Sequence, residues 1–204
     1  MASNEIILNL ENHENFATSE LIGGLLELSN RDREFKYNWN NHPVTAHAII
    51  DLKQRIGAMN AKGVLQSAKI LDGLQILDQS AWNLCQTNIL RLLHRYKGRD
   101  LALFLDLFEK EVLDDNGDVY LYLQKAPVEF FERIVAILPM HIGFLSNKEL
   151  VRTLEVLVKR ELGSDRLFQN YIYMRIERKV LQFSIKEYCR CVRALADKGH
   201  GDDR

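Results

Sequence analysis

One pattern occurs twice in this sequence, and it constrains the fold more than any other feature. Residues 146–152 read Ser-Asn-Lys-Glu-Leu-Val-Arg, and residues 184–190, thirty-eight positions later, read Ser-Ile-Lys-Glu-Tyr-Cys-Arg. Both copies open with Ser-x-x-Glu, the capping box, in which the two side chains satisfy free amides at a helix N-terminus. Apolar residues at helical spacing follow, so each copy predicts an amphipathic helix. They are Leu150, Leu154, Leu157 and Val158 in the first copy, and Tyr188, Val192 and Leu195 in the second.

The segment between the two copies carries a further helical pattern. Gly163 ends the first predicted helix, and apolar residues then recur at helical spacing. These residues are Phe168, Tyr171, Ile172, Ile176 and Val180. Each unit therefore contains two helices. Helix pairs of this kind bury a continuous core by packing on neighbouring pairs, as in a solenoid.

Weaker copies of the pattern precede the two clear ones. Arg99-Asp100-Leu101 aligns with Lys148-Glu149-Leu150 at an offset of 49 residues, which also places Asp106 under Glu155. Asn60 aligns with the first serine cap, and asparagine is also a favoured N-cap. The sequence therefore predicts an all-α fold: an α-solenoid of stacked helical hairpin repeats, with about four units of roughly 38 residues. An ordinary amphipathic helical bundle also produces some self-similarity and remains the alternative. The predicted helix starts lie near residues 61, 99, 147 and 185.

The repeat divides the chain into three segments. Residues 1–43 are the predicted N-terminal arm with one short helix, residues 44–199 the helical-repeat domain, and residues 200–204 a disordered tail. Within the arm, residues 1–17 are polar and predicted to be extended. Gly23-Gly24 lies in the arm's helix. This pair either weakens that helix or allows another helix to pack closely against it.

One connection between repeats is longer than the others. Residues 114–118 read Asp-Asp-Asn-Gly-Asp, which predicts a surface turn. An EF-hand calcium loop would need glycine at its sixth position and glutamate at its twelfth. Counted from Asp114, glycine falls at the fourth position and Lys125 at the twelfth, so the spacing does not fit. Residues 119–123, Val-Tyr-Leu-Tyr-Leu, are compatible with either a short strand or an extended segment.

No combination of residues has the spacing of a catalytic or metal site. Cys189 and Cys191 are two positions apart on a predicted helix, where side chains point in different directions, and zinc needs four converging ligands. Neither a Gly-rich phosphate loop nor a Gly-x-Ser-x-Gly elbow is found. We therefore predict a non-enzymatic chain without cofactor, metal or small-molecule substrate. With Cys85 the cysteines number three, and this odd count indicates a reducing compartment.

Charge is distributed unevenly along the chain. Residues 1–143 hold 14 Lys+Arg and 19 Asp+Glu, whereas residues 144–199 hold 12 and 7. The basic part could contact RNA phosphates, pair with an acidic protein, or only keep a helix soluble, and the sign of a patch does not decide among these. The candidate RNA- or partner-binding residues are Arg152, Lys159, Arg160, Arg175, Arg178, Lys179, Arg190 and Arg193.

The sequence also bears on targeting. No stretch is long and apolar enough to predict a membrane span. Five glutamates precede the first basic residue, Arg31. This composition is typical of neither a secretory signal nor an ordinary Arg-rich mitochondrial transit peptide.

Two segments resemble a known class of repeat. Residues 183–188 read Phe-Ser-Ile-Lys-Glu-Tyr, and residues 193–199 read Arg-Ala-Leu-Ala-Asp-Lys-Gly. This frame resembles the helix-pair repeats of organellar proteins, namely the helical region of the FAST-kinase-like family and the octotricopeptide and heptatricopeptide repeat proteins. Their units have a similar length and also end in an Ala-Leu-Ala-like helix before a glycine. The resemblance covers about residues 44–199. It implies an α-solenoid in the mitochondrial matrix that acts on RNA or is built into a mitochondrial assembly.

These observations lead to one functional hypothesis and two alternatives. The hypothesis is a scaffold or adaptor subunit that binds protein subunits of a larger mitochondrial assembly, such as the ribonucleoprotein of the mitochondrial ribosome. The first alternative is a factor that binds or processes single-stranded RNA directly. The second is an accessory structural subunit of a respiratory-chain complex. A cytoplasmic location is the alternative to the mitochondrial one.

Overall fold

The structure, a computed structural model, describes residues 3–35, 39, 42–110 and 125–199. All regular secondary structure in these ranges is helical, which confirms the predicted all-α class. The turn at 114–118, the segment 119–123 and the tail 200–204 lie outside the described residues. The α-helices are α1 (Ser3–Leu10), α2 (Thr18–Phe35), α3 (Pro43–Arg55), α4 (Ala61–Gly73), α5 (Gln79–Arg91), α6 (Gly98–Glu109), α7 (Val128–Ile137), α8 (Asn147–Lys159), α9 (Asp165–Leu167), α10 (Met174–Lys179) and α11 (Ile185–Asp197).

The four predicted helix starts are confirmed at α4, α6, α8 and α11. In α4 the amide of Gly63 donates to the Asn60 side chain at 2.9 Å. In α6 the amide of Lys97 donates to the Asp100 carboxylate at 3.0 Å. Side chains encoded beside each start therefore supply partners for backbone groups that the helix itself leaves free.

Both predicted capping boxes are formed. The Glu149 amide donates to the Ser146 hydroxyl at 3.3 Å, and the Ser146 amide donates to the Glu149 carboxylate at 2.7 Å. The corresponding distances for Ser184 and Glu187 are 3.3 and 2.9 Å. Hydrogen bonds from the Ser184 amide and hydroxyl lower the pKa of Glu187. The stabilisation by this carboxylate is therefore complete above the normal glutamate pKa and is lost as the pH falls through the lowered one.

We expect Ser146→Ala and Ser184→Ala each to lower the free energy of unfolding by about 0.5–2 kcal/mol, because each removes an N-cap acceptor. Urea denaturation followed by far-UV circular dichroism measures this loss. Ser184→Thr is the matched control, since threonine keeps a hydroxyl that can cap the helix and donate to Glu187, and it should stay close to wild type. Alanine variants as stable as wild type would show that these serines do not cap in solution.

The chain divides into two units, which are described separately. Unit 1 comprises residues 1–95 and 111–126. In it α2 packs against α1, α3 and α4, and α4 packs against α5. The core of this unit includes the fully buried side chains of Leu21, Leu52 and Trp82.

The N-terminal arm differs from its prediction. Residues 1–17 were expected to be extended, but they contain α1, and the short helix expected after them is the 18-residue α2. Polar contacts hold this region against α3. Arg55 donates to both carboxylate oxygens of Asp51 at 2.8 and 2.7 Å and to the Phe16 carbonyl at 2.6 Å. His13 lies 3.3 Å from the same carboxylate. These contacts connect α3 to the chain between α1 and α2, an association that local composition does not encode.

The two adjacent glycines of α2 have different surroundings. A Cβ atom built on Gly24 would lie 3.1 Å from Leu10 Cδ2, whereas one built on Gly23 would meet nothing within 4 Å. Close packing against another helix, one of the two interpretations of this pair, therefore applies to Gly24.

Gly23→Ala is expected to raise the free energy of unfolding of unit 1 by up to about 1 kcal/mol, because alanine has the higher helix propensity. Gly24→Ala should raise the free energy of unfolding by less than Gly23→Ala, or lower it, since Leu10 would have to move. Both tryptophans, at positions 39 and 82, lie in unit 1, so tryptophan fluorescence in urea reports on the relevant part of the chain. Equal effects of the two substitutions would contradict the close contact.

Unit 2 comprises residues 96–110 and 127–204. Its central helix is α8, which packs against α6 and against α11. The core includes the buried aromatic rings of Phe104, Phe130, Phe131 and Phe168. The helix end predicted at Gly163 comes earlier: α8 ends at Lys159 with Arg160 as its C-cap, and Glu161, at φ +54°, is the left-handed residue that follows the cap.

The second helix of the predicted repeat is less regular than expected. It begins as α9, continues as a π-helical segment over Phe168–Tyr173, and resumes as α10. The apolar spacing correctly identified a helix here. A change in the hydrogen-bonding register, by contrast, leaves no mark in a simple periodic pattern.

Candidate interaction surface

Two ion pairs connect the neighbouring helices of unit 2. Arg152 of α8 lies 3.5 Å from Asp106 of α6. Arg190 of α11 donates from Nε to Glu155 Oε1 of α8 at 2.6 Å, and its Nη2 donates to the other carboxylate oxygen. Hydrogen bonding with Glu155 raises the pKa of Arg190, against the opposing effect of partial burial. Each arginine therefore pairs with an acid of the preceding helix in the series α6, α8, α11.

The two pairs occupy the same positions in successive helices. Arg152 and Arg190 are equivalent at the 38-residue offset, and Asp106 and Glu155 are equivalent at the 49-residue offset. The structure thus joins an arginine of one helix to the acid at a fixed position of the preceding helix, twice in the same register. We call this arrangement the Arg–acid ladder.

Two further candidate residues share one acid. Lys159 Nζ lies 2.8 Å from Glu109 Oε1, and Arg160 donates to Glu109 Oε2. The Arg160 guanidinium also lies 4.9 Å from the centre of the Phe131 ring. The buried Glu109 carboxylate therefore receives charge compensation from the end of α8.

The remaining candidates fall into two groups. Arg175 donates to the Leu145 carbonyl at 2.9 Å. By contrast, Arg178, Lys179 and Arg193 make no ion pair within the part of the chain that the structure describes. Five of the eight candidate binding residues thus have intramolecular partners. The sequence identified the basic residues, but it did not indicate that most of them are paired.

An apolar surface lies on α11, and the sequence pattern alone does not show that it is exposed. Ile185, Tyr188 and Val192 are 85%, 42% and 48% exposed. Tyr188 and Val192 are equivalent to Leu150 and Leu154, both fully buried in α8. The sequence predicts α11 from the apolar positions Tyr188, Val192 and Leu195, whereas the buried residues of this helix are Cys191, Ala194 and Leu195.

The cysteines divide by environment. Burial raises the pKa of Cys85 to about 12 and that of Cys191 to about 11, so both remain protonated thiols at neutral pH. Cys189 is exposed. None of the three forms a disulfide. Within the described ranges, no three His, Cys, Asp or Glu side chains are grouped so that they could hold a metal ion.

Unit 1 contains a cleft of about 250 Å³ between α1 and α2. Two carboxylates line it, and both have other partners. Glu20 accepts from the Ala17 amide at 2.8 Å, and Glu27 pairs with Arg31 at 3.2 Å. The other lining residues include Ile6, Leu10 and Phe16, so the arrangement offers an apolar cleft without a free acid–base pair.

The described chain is an all-α protein with a ladder of interhelical ion pairs and an apolar outer face on its last helix. Of its helices, none combines the length and the apolar character that crossing a membrane requires. Searches against protein-family models and against curated protein sequences find no match to this chain.

Proposed function

We propose that this chain is a non-enzymatic helical-repeat scaffold that binds other protein subunits in a larger assembly. The Arg–acid ladder is the observation that carries the proposal. Two equivalent arginines join two equivalent acids along α6, α8 and α11, as expected for stacked repeats of an α-solenoid. Repeat stacks present extended surfaces suited to protein partners.

The use of the basic residues favours protein docking over a purely electrostatic RNA surface. Binding to nucleic acid phosphates depends on the number of Lys and Arg residues available to contact them. Arg152, Lys159, Arg160 and Arg190 are instead paired with carboxylates of the chain itself. The apolar surface of α11 adds an area of the kind that protein partners cover.

The mitochondrial ribonucleoprotein is the assembly that we propose, and its support is the resemblance to organellar helix-pair repeats. The test is purification of the tagged full chain from its native source, with and without ribonuclease, together with cell fractionation. Ribosomal proteins and RNA in a mitochondrial fraction are the expected result. Co-purifying respiratory subunits that resist ribonuclease would favour the respiratory alternative. Recovery of the chain alone would contradict the scaffold function.

Direct binding of single-stranded RNA is the second candidate, favoured by the exposed side chains of Arg178 and Arg193 and the half-buried Lys179. It predicts that the purified chain binds a short single-stranded RNA at low salt, with affinity falling steeply as salt rises. A variant with all three residues changed to Glu should lose this binding while remaining folded. Absence of binding at low salt, where attraction is least screened, would eliminate direct recognition and leave the docking proposal in place.

A further inference from the structure

The outer side of α11 is an apolar stripe without a covering helix in the described part of the chain. Ile185, Tyr188 and Val192 lie three and four residues apart, so they align on one face. We call these three residues the α11 stripe. Their exposure contrasts with the complete burial of Leu150 and Leu154 at the positions equivalent to the last two. The stripe therefore has the composition of a helix–helix contact while remaining open.

The side of α11 that adjoins the stripe is already occupied. Cys191, Ala194 and Leu195 are buried, and α11 packs against α8. Arg190 fixes this packing through its pair with Glu155. The helix α11 therefore already has a packed face, and the stripe is an additional apolar surface that stays exposed.

An exposed charge on α11, Arg193, departs from the Arg–acid ladder. The position occupied by Asp106 in α6 and by Glu155 in α8 is occupied by Arg193 in α11. In the two inner helices this position is an acid that pairs with an arginine of the following helix. A further helix of the same repeat would place its own arginine, equivalent to Arg152 and Arg190, close to Arg193. Like charges at that distance repel. A helix with a carboxylate at that place would instead be attracted.

We propose that the α11 stripe binds an amphipathic α-helix of a partner protein, which lays its apolar residues on the stripe and a carboxylate beside Arg193. This inference rests on the proposed scaffold function and names the surface and the partner chemistry. It corresponds to recognition of a helix by an apolar groove or face, with charges at the rim selecting the partner. The reversed charge at Arg193 distinguishes a foreign acidic helix from a further basic repeat.

The probes are two synthetic peptides of about 18 residues, five helical turns, with the same leucine stripe. One carries Glu beside the stripe and the other carries Lys at the same places. With the wild-type full chain, we expect the Glu peptide to bind about tenfold more tightly, which corresponds to about 1.4 kcal/mol. Arg193→Glu should reverse this preference, and Val192→Asp should abolish binding of both peptides. Phe144→Asp is the matched control, because Phe144 is also exposed in unit 2 but lies outside the stripe.

Several outcomes would overturn the proposal. Val192→Asp that binds as wild type would show that the stripe is not the site, provided that circular dichroism shows both chains folded. Equal affinity for the two peptides would remove the role of Arg193. A wild-type dimer that Val192→Asp converts to a monomer would identify a second copy as the occupant instead.

The experiment is separable from the test of the scaffold function. If the peptides fail to bind but the native purification yields a stable assembly, the stripe proposal is wrong and the scaffold function stands. If the Glu peptide binds as expected and the native purification yields the chain alone, the surface is correct and the scaffold function is wrong.

Cys189, exposed next to Tyr188, provides a further readout. A thiol reagent should label it in the free chain and more slowly with the Glu peptide bound.

Discussion

Replacing Asp72 with alanine is expected to lower the free energy of unfolding of unit 1 by about 3–5 kcal/mol, because it removes a carboxylate that pairs with a buried charge. Lys125 Nζ lies 2.9 Å from Asp72 Oδ1, and the two side chains are only 2% and 5% exposed, in that order. The same ammonium lies 4.7 Å from the centre of the Trp82 ring. The indole also donates to the Ile76 carbonyl at 2.8 Å. The ion pair therefore connects Lys125 to α4 and to the core of the unit.

Tryptophan fluorescence during urea denaturation measures this effect, since both tryptophans belong to unit 1. Glu27→Ala is the control, because the exposed Glu27–Arg31 pair should contribute about 0.5 kcal/mol or less. Replacing both buried partners, as Asp72→Leu with Lys125→Met, should recover much of the loss, since no unpaired charge remains. If Asp72→Ala were no more harmful than Glu27→Ala, the pair would have to be hydrated in solution.

Features encoded by adjacent residues were predictable. Ser146 and Ser184 cap helices because each serine and the glutamate three positions later satisfy free amides of the same turn. Gly199 follows the C-cap of α11 at positive φ, as expected of a glycine just after a helix. These signals depend on a few neighbouring residues, so they can be read without knowledge of the packing.

Features that depend on distant residues were not predictable in the same way. The alignment placed Asp106 under Glu155 and Arg152 with Arg190, yet it did not indicate that members of the two sets pair. The pairing depends on which helices become neighbours, and the partners are separated by 46 and 35 positions. The eight basic residues therefore suggested one patch, whereas the structure divides them by their partners.

The apolar pattern of α11 illustrates a second limit. Helical periodicity reports that a face is apolar, but it does not report whether the chain itself covers that face. In α8 the corresponding leucines are buried between neighbouring helices. In α11, Tyr188 and Val192 occupy the equivalent positions but remain exposed. A repeat pattern can therefore predict a helix correctly without showing which of its apolar residues stay exposed.

Reversing the charge of Arg190 is expected to destabilise unit 2, whereas the same change at Arg193 should not. Arg190→Glu replaces an attraction to Glu155 with a repulsion. Since both side chains are more than one-third exposed and solvent screens them, we expect a loss of about 1 kcal/mol. Arg193→Glu should change the free energy of unfolding by about 0.5 kcal/mol or less, as for an ordinary surface residue. Hydrogen exchange of the α11 amides measures both effects locally.

The charge-swapped variant provides the decisive comparison. Arg190→Glu with Glu155→Arg restores opposite charges at the same two positions, so its α11 amides should regain most of the protection that Arg190→Glu loses. This recovery separates a direct pair from two independent surface effects, because effects without contact would add. Simple addition of the two single losses would contradict the Arg–acid ladder. Recovery, together with an unaffected Arg193→Glu, would leave Arg193 as the ladder position available to a partner.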